Sequence, residues 1–164
     1  MAFSEDLLEQ AQHLARREPR RPKQASLRRA ISTAYYALFN LLIAETVRNW
    51  KRSSERNTLA RMFDHGAMRK ACDRKRTELN AFFNTHPSRG QQLDTAKHLH
   101  LVADTFIQMQ QHRHSADYDG SIKWTRTDTL ARVNSVVAAF QSWKAIRKDT
   151  TPQDFLVTLL LKER

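Results

Sequence analysis

Residues 111–120, QHRHSADYDG, set His112, Arg113 and His114 side by side, follow them with Asp117 and Tyr118, and break off at an Asp-Gly turn. A guanidinium stays charged at any physiological pH, and its planar fork matches the oxygens of a phosphate. Histidine titrates near neutrality and suits proton transfer, whereas tyrosine donates to phosphate or, with a strongly lowered pKa, carries a proton. Such a stretch is either a charged helix end or the edge of a site for an anionic substrate. In the first case Arg113 caps a helix C-terminus or pairs with Asp117 or Asp119, an ordinary role for arginine.

The segment closes a helix expected from about Gln91 to His112. Leu99, Val102, Phe106, Met109 and Arg113 follow one another at intervals of 3, 4, 3 and 4, which puts the arginine at the end of the apolar face. A cation there must sit at the mouth of the core, be paired, or both. The helix it would pack on spans roughly Gln24 to Trp50 and is apolar almost all round between Ala34 and Ala44, so it should be the most buried element. Before it, Ser4 is a candidate cap with Phe3 as a staple, Leu7, Leu8, Ala11, Leu14 and Ala15 form a stripe, and Pro19 and Pro22 stop the helix. Beyond it, residues from Ser53 or Ser54 to Phe83 read as two short helices interrupted near Asp64-His65-Gly66, and 85–90 as a loop. Thr125 with Asp128 can box a fifth helix through Leu130, Val133, Val137 and Phe140. Thr151 and Pro152 start a short last one. The expectation is an all-α chain: an antiparallel bundle of four long helices with additional short ones, one domain over 1–164 with 146–164 as an extra C-terminal helix.

The composition agrees, with three glycines, four prolines and few strand-like runs in 164 residues. The acidic N-terminus lacks the positive charge of a targeting peptide, and Asn40 interrupts the longest apolar stretch, so neither targeting nor a membrane span is expected. A single cysteine, Cys72, and no zinc-like Cys/His spacing argue against disulfides, metal and cofactors and for a cytoplasmic location. The net charge of +11 is unevenly placed, with 18 Lys+Arg against 9 Asp+Glu in residues 1–89 and 10 against 8 thereafter. The runs 16–29, 48–56 and 69–76 favour polyanions, chiefly RNA or DNA, and name Arg20, Arg21, Lys23, Arg28, Arg29, Arg74, Lys75 and Arg76 as candidate contacts. A basic surface serving solubility or an acidic protein partner gives the same composition.

AYYALF (34–39) in the central helix and RHSADY (113–118) at the close of the later one together resemble the HEPN superfamily, in its small stand-alone prokaryotic branch with AYYA and RxxADY motifs. His65-Gly66 falls where that branch often opens its third helix. The resemblance spans most of residues 1–145. It implies a helical bundle that pairs into homodimers with the arginine motifs of both protomers at a shared cleft. Active members are metal-independent endoribonucleases of toxin–antitoxin and phage-defence systems, often encoded beside a nucleotidyltransferase-type antitoxin. Others bind nucleotide, nucleic acid or protein without catalysis, so fold alone does not decide function.

Metal-free RNA cleavage needs a base near the 2′-hydroxyl, an acid for the leaving oxygen and a cation for the charge that builds on phosphate. Arg113 would be the cation, and His114, His112, His65 or Tyr118 the proton carrier. The best-known ribonucleases of the superfamily have four to six residues between an arginine and a following histidine; from Arg113 those positions hold Tyr118, Asp119 and Gly120, and no arginine in this chain meets that spacing. In related sites a tyrosine near the arginine also accepts nucleotide from the partner enzyme, a role that would fall to Tyr118. Tyr35 and Tyr36 stand about 100° apart on a helix, so both should not face one site, and at least one belongs to the core. Asp117 either orients Arg113 or caps the turn, and His98 and His100 point to different helix faces and so do not form a metal pair. Trp50, Trp124 and Trp143 fit base stacking and ordinary packing equally well.

Overall fold

The alanine- and leucine-rich segment after Pro22 forms the helix that its composition favours, and the rest of the chain follows suit. The computed structural model describes residues 2–85 and 90–162, and among them there is no strand. The helices are α1 (Phe3–Ala15), α2 (Gln24–Arg48), α3 (Arg56–Ala60), α4 (His65–Thr85), α5 (Gln91–Tyr118), α6 (Arg126–Ile146) and α7 (Thr150–Thr158), with a 3₁₀ turn at Ser53–Glu55 leading into α3. Four of them, α2, α4, α5 and α6, have 21 residues or more. The expected loop at 85–90 lies mostly outside the described residues.

Contacts divide the chain into two compact units, residues 1–41 with 108–140 and residues 42–107 with 141–164. In the first, α2 buries Leu27, Ile31, Ala34, Tyr35 and Leu38 at helical spacing, α1 buries Ala11 and Ala15, α5 Met109 and Ala116, and α6 Val133, Val136 and Phe140. In the second, Leu42, Met68, Cys72, Leu99, Val102, Phe106, Trp143, Phe155 and Leu156 are buried. Each large side chain of these sets contributes about 1.5–3 kcal/mol by leaving water. Burial also pushes the Cys72 thiol far above its ordinary pKa, which leaves it an inert core group.

Several boundaries depart from the sequence reading, each for a local reason. Ser4 is not a cap: α1 starts at Phe3 with Ala2 at the N-cap, two residues earlier, Ser4 is buried inside it, and the Glu5 carboxylate reaches back to the Ala2 N–H (3.4 Å). Phe3 is correspondingly exposed rather than stapled. Thr125 does cap α6, its hydroxyl accepting from the Asp128 N–H at 3.0 Å. The last helix begins at Thr150, with Asp149 at the N-cap and Pro152 in its first turn, where a missing N–H costs nothing. Asn40 lies inside α2, as the helix expected from Gln24 to Trp50 requires, and its amide Nδ2 donates to the Tyr36 carbonyl one turn back (2.8 Å). Despite this polar residue, α2 is by length and composition alone apolar enough to cross a bilayer; 72% of that window is packed inside the protein, as in a core helix. The largest departure is α5, which runs six residues past His112 and carries the whole RHSADY segment on its last turns.

Candidate functional site

The end of α5 is held by a ladder of side chains from one face of α2. Gln24, Arg28 and Ser32 are spaced four apart, so they stack along one stripe, and Tyr35 and Tyr36 continue it one turn on. Gln24 grips Trp124 twice, its Nε2 donating to the Trp124 carbonyl (2.7 Å) and its Oε1 accepting from the Trp124 N–H (2.9 Å). Arg28 donates Nη1 to the carbonyls of Ala116 (2.8 Å) and Asp119 (2.9 Å), and Nη2 to that of Ile122. The last carbonyls of a helix have no partner within it, so this fork closes the α5 terminus and lets the helix extend to Tyr118. The Ser32 hydroxyl sits 3.3 Å from Asp117 Oδ2.

The next rung brings the AYYA and RHSADY segments together. The Arg113 Cζ lies 5.3 Å from the centroid of the Tyr35 ring and 5.9 Å from that of Tyr36, and the two rings meet edge-on at 5.3 Å. Tyr35 is fully buried and Tyr36 half-buried. Both rings lie near the one guanidinium, but only Tyr36 reaches solvent; Tyr35 is the member of the pair that belongs to the core, as expected. Contact with aromatic faces contributes roughly 0.5–2 kcal/mol to holding a guanidinium that is partly desolvated. Arg113 is half-buried, its Nε is sealed from solvent without a hydrogen-bond partner, and it makes no ion pair among the described residues. The helix-capping role weighed for Arg113 belongs instead to Arg28. The carboxylates weighed as its partners are engaged otherwise, Asp117 with Ser32 and Asp119 with Ser121. The Ser121 hydroxyl and N–H hold the Asp119 carboxyl below its usual range.

His114 is exposed, with its ring 5.1 Å from that of Tyr118, which ends α5 and is 72% exposed. His112 turns its ring edge-on to Trp124 at 6.0 Å. Burial, with a smaller push from Arg132, lowers its pKa, so it is neutral at neutral pH and competent to accept a proton. His65 opens α4 and belongs to the second unit. The first unit therefore assembles Arg113, Tyr35 and Tyr36, with His114 beside Tyr118. A half-buried guanidinium whose donors lack an anion can receive phosphate oxygens, and a neutral imidazole or the His114–Tyr118 pair can move a proton.

The candidate nucleic-acid contacts divide by unit. Arg20, Arg21, Lys23 and Arg29 are exposed and free of ion pairs among the described residues. Arg28 is committed to the α5 carbonyls. In the second unit, Lys75 meets Glu78 at 2.7 Å and Arg76 bridges Asp73 (2.8 Å) and Asp104 (2.9 Å), while Arg74 is half-buried. The hydrogen bond to Asp104 is the main reason that the Arg76 pKa rises. Of the tryptophans, Trp124 and Trp143 are core residues, and the exposed Trp50 donates its Nε1 to Glu55 (2.8 Å). His98 Nδ1 is 3.0 Å from the Ser142 hydroxyl and His100 lies against Phe83, so the two do face apart.

Sequence reasoning missed Gln24 and Arg126, whose work is to hold connectors, and Arg132, whose Nε is buried without a partner like that of Arg113. The four-residue spacing of Gln24, Arg28 and Ser32 was the available signal. A cavity of about 790 Å³ in the second unit, between Lys75 and Leu79 of α4, Thr95 of α5 and Thr150 of α7, contains none of the catalytic candidates. Among the described residues no cluster of three or more His, Cys, Asp or Glu side chains is arranged to hold a metal ion. Comparisons with known protein families, with characterised proteins and with solved structures found no match.

Proposed function

We propose that this chain is a HEPN-type RNA-binding effector, a metal-independent endoribonuclease toxin of a toxin–antitoxin or phage-defence system, in which Arg113 grips one phosphodiester. The observation that carries the reading is the juxtaposition of the two motif segments: a guanidinium resting on Tyr35 and Tyr36 with no anion of its own. Stabilising the charge that develops on a phosphate is the task such a group suits, and a preorganised cation at a partly desolvated site acts more strongly than one in water. His112 or His114 takes the 2′-hydroxyl proton as the 2′-oxygen bonds to phosphorus, and the P–O5′ bond breaks as the leaving 5′-oxygen takes a proton from the other histidine, in its protonated form, or from Tyr118. A homodimer sharing two Arg113 clefts, in the four-helix arrangement of that superfamily, completes the proposal, and a nucleotidyltransferase-type antitoxin acting on Tyr118 is the partner it implies.

A second reading has its own support. No histidine follows Arg113 with four to six residues between them, and the His114 ring packs on Tyr118. In that reading the same cleft binds nucleotide, nucleic acid or a protein partner without cutting. Fluorogenic RNA incubated with excess EDTA decides between them. The enzyme reading expects cleavage by the wild type, lost by about 100-fold or more in Arg113→Ala and largely lost in Arg113→Lys, because a single ammonium does not reproduce the fork. RNA or nucleotide bound but never cleaved by the wild type supports the second.

A further inference from the structure

Residues 16–23, RREPRRPK, join α1 to α2 and carry five cations and one acid. Basic connectors are usually mobile, and their charge then acts only as a diffuse field. This one is tied down at several points. Arg126 of α6 donates to three carbonyls of the connector and the α1 end, with Nε to Ala15 (3.3 Å), Nη1 to Pro19 (3.0 Å) and Nη2 to Glu18. The single acid, Glu18, is half-exposed and held locally: its carboxylate accepts from the Ser26 hydroxyl (2.8 Å) and the Lys23 N–H (3.3 Å), and those bonds, the hydroxyl's first, keep it ionised below its usual range. Pro19 and Pro22 stiffen the remainder by fixing φ. Arg16, Arg17, Arg20, Arg21 and Lys23 all reach solvent, and none makes an ion pair among the described residues.

We infer that this connector is a preformed strip for the phosphate backbone of a single RNA strand, with Arg126 as its positioning residue; the inference deepens the RNA-acting reading above and rests on it. Neutral carbonyls satisfy the donors of Arg126 without cancelling any charge, so the strip keeps its shape and five cations against one acid. That one carboxylate already accepts from the Ser26 hydroxyl and the Lys23 N–H and lies in the field of Arg17 and Lys23, which leaves Arg16, Arg20 and Arg21 without an acid. Ordering the cations before binding lowers the entropy lost when the strand is captured. The runs of like composition in α4 are disqualified by the same criterion, since Lys75 and Arg76 already hold carboxylates.

Fluorescence anisotropy with a labelled single-stranded 20-mer RNA tests this on the full chain. Neutralising Arg20, Arg21 and Lys23 to alanine is expected to weaken binding about tenfold or more. The same change should flatten the slope of log affinity against log salt by about two, since each phosphate neutralised on a single strand adds roughly 0.7 to that slope. Lys75→Ala with Arg76→Ala is expected to change affinity by less than about twofold, because those cations are already screened by carboxylates. Arg126→Lys keeps the charge but cannot span three carbonyls, and it should bind RNA more weakly than wild type with helicity retained. Wild-type affinity in the triple variant overturns the inference, as does preferential binding of poly-glutamate over RNA, which would reassign the strip to an acidic protein. The Arg113 reading fails separately: if Arg113→Ala cleaves normally it falls, whatever the connector binds. Should Arg126→Lys fail to fold, the triple variant of solvent-facing residues still decides.

Discussion

The two units of this chain use their arginines differently. In the second unit several meet acids: Arg48 and Arg147 share the buried Glu45, Arg52 meets Glu55, and Arg76 bridges Asp73 and Asp104, while Arg56 donates to the carbonyls of Trp50 (3.0 Å) and Arg48 (3.2 Å). In the first unit no lysine or arginine makes an ion pair among the described residues. Arg28 and Arg126 donate instead to backbone carbonyls, and Arg113 rests on tyrosine rings. Both arrangements satisfy or shelter the guanidinium, but only pairing with an acid neutralises it. A carbonyl or a ring is a neutral partner, so Arg28, Arg113 and Arg126 keep their charge locally where Arg48, Arg76 and Arg147 share theirs with a carboxylate. The second unit holds more cations in total; placement, not amount, makes the first the better candidate for binding an anion.

Replacing Arg28 should give the largest effect. Arg28→Ala leaves the carbonyls of Ala116 in α5 and of Asp119 and Ile122 just beyond it without this donor, and a cost of about 2–3 kcal/mol is expected from charge-assisted bonds removed at a part-buried terminus. Arg28→Lys should recover little of it, because one ammonium cannot reach all three; urea denaturation of both variants checks this. Full recovery by lysine would show that charge rather than the fork holds the helix end, and would erase the contrast between the units. Arg76→Ala in the second unit should cost less, about 0.5–1 kcal/mol, since its pairs are partly exposed and screened. Molar salt should shrink that smaller cost and leave the Arg28 effect nearly intact.

The smallest effect is a pH dependence within the first unit. His112 has a folded-state pKa below its unfolded value, so as pH falls through about 6.5 the unfolded chain takes up a proton that the folded chain resists. Stability should therefore decline from neutral towards acid pH, and His112→Gln should flatten that decline in urea midpoints measured between about pH 7.5 and 5.5. An unchanged slope would mean that the imidazole is well solvated and charges freely.

The helices themselves were legible because apolar periodicity, Pro22 and the break near Asp64-His65-Gly66 are local signals. The end of α5 was not, since its last turns depend on Arg28, which is 88 residues from Ala116 and 91 from Asp119 in sequence. Without that donor, the polar run after His112 reads as the end of a helix. The site was half legible: residue types and motif spacing singled out Arg113, but which arginine caps the helix and which stays unpaired is a three-dimensional allocation that composition does not encode. The basic runs show the same limit. Residues 16–23 and 69–76 look alike as strings, yet helical spacing within α4 and the approach of Asp104 pair Lys75 and Arg76 with acids, while the one acid of the connector, Glu18, is held by the Ser26 hydroxyl and the Lys23 N–H.

The central claim is that Arg113 is the guanidinium of the first unit ready for a phosphodiester while Arg28 is not. Arginine side-chain NMR, following the Nε–Hε resonances during titration with an RNA dinucleotide carrying a non-cleavable 2′-O-methyl group, reads both residues at once. The predicted result is a saturable shift at Arg113, whose resonance is assigned by its absence from Arg113→Lys, with the Arg28 resonance unmoved. A shift at Arg28 with Arg113 silent at saturation would contradict it.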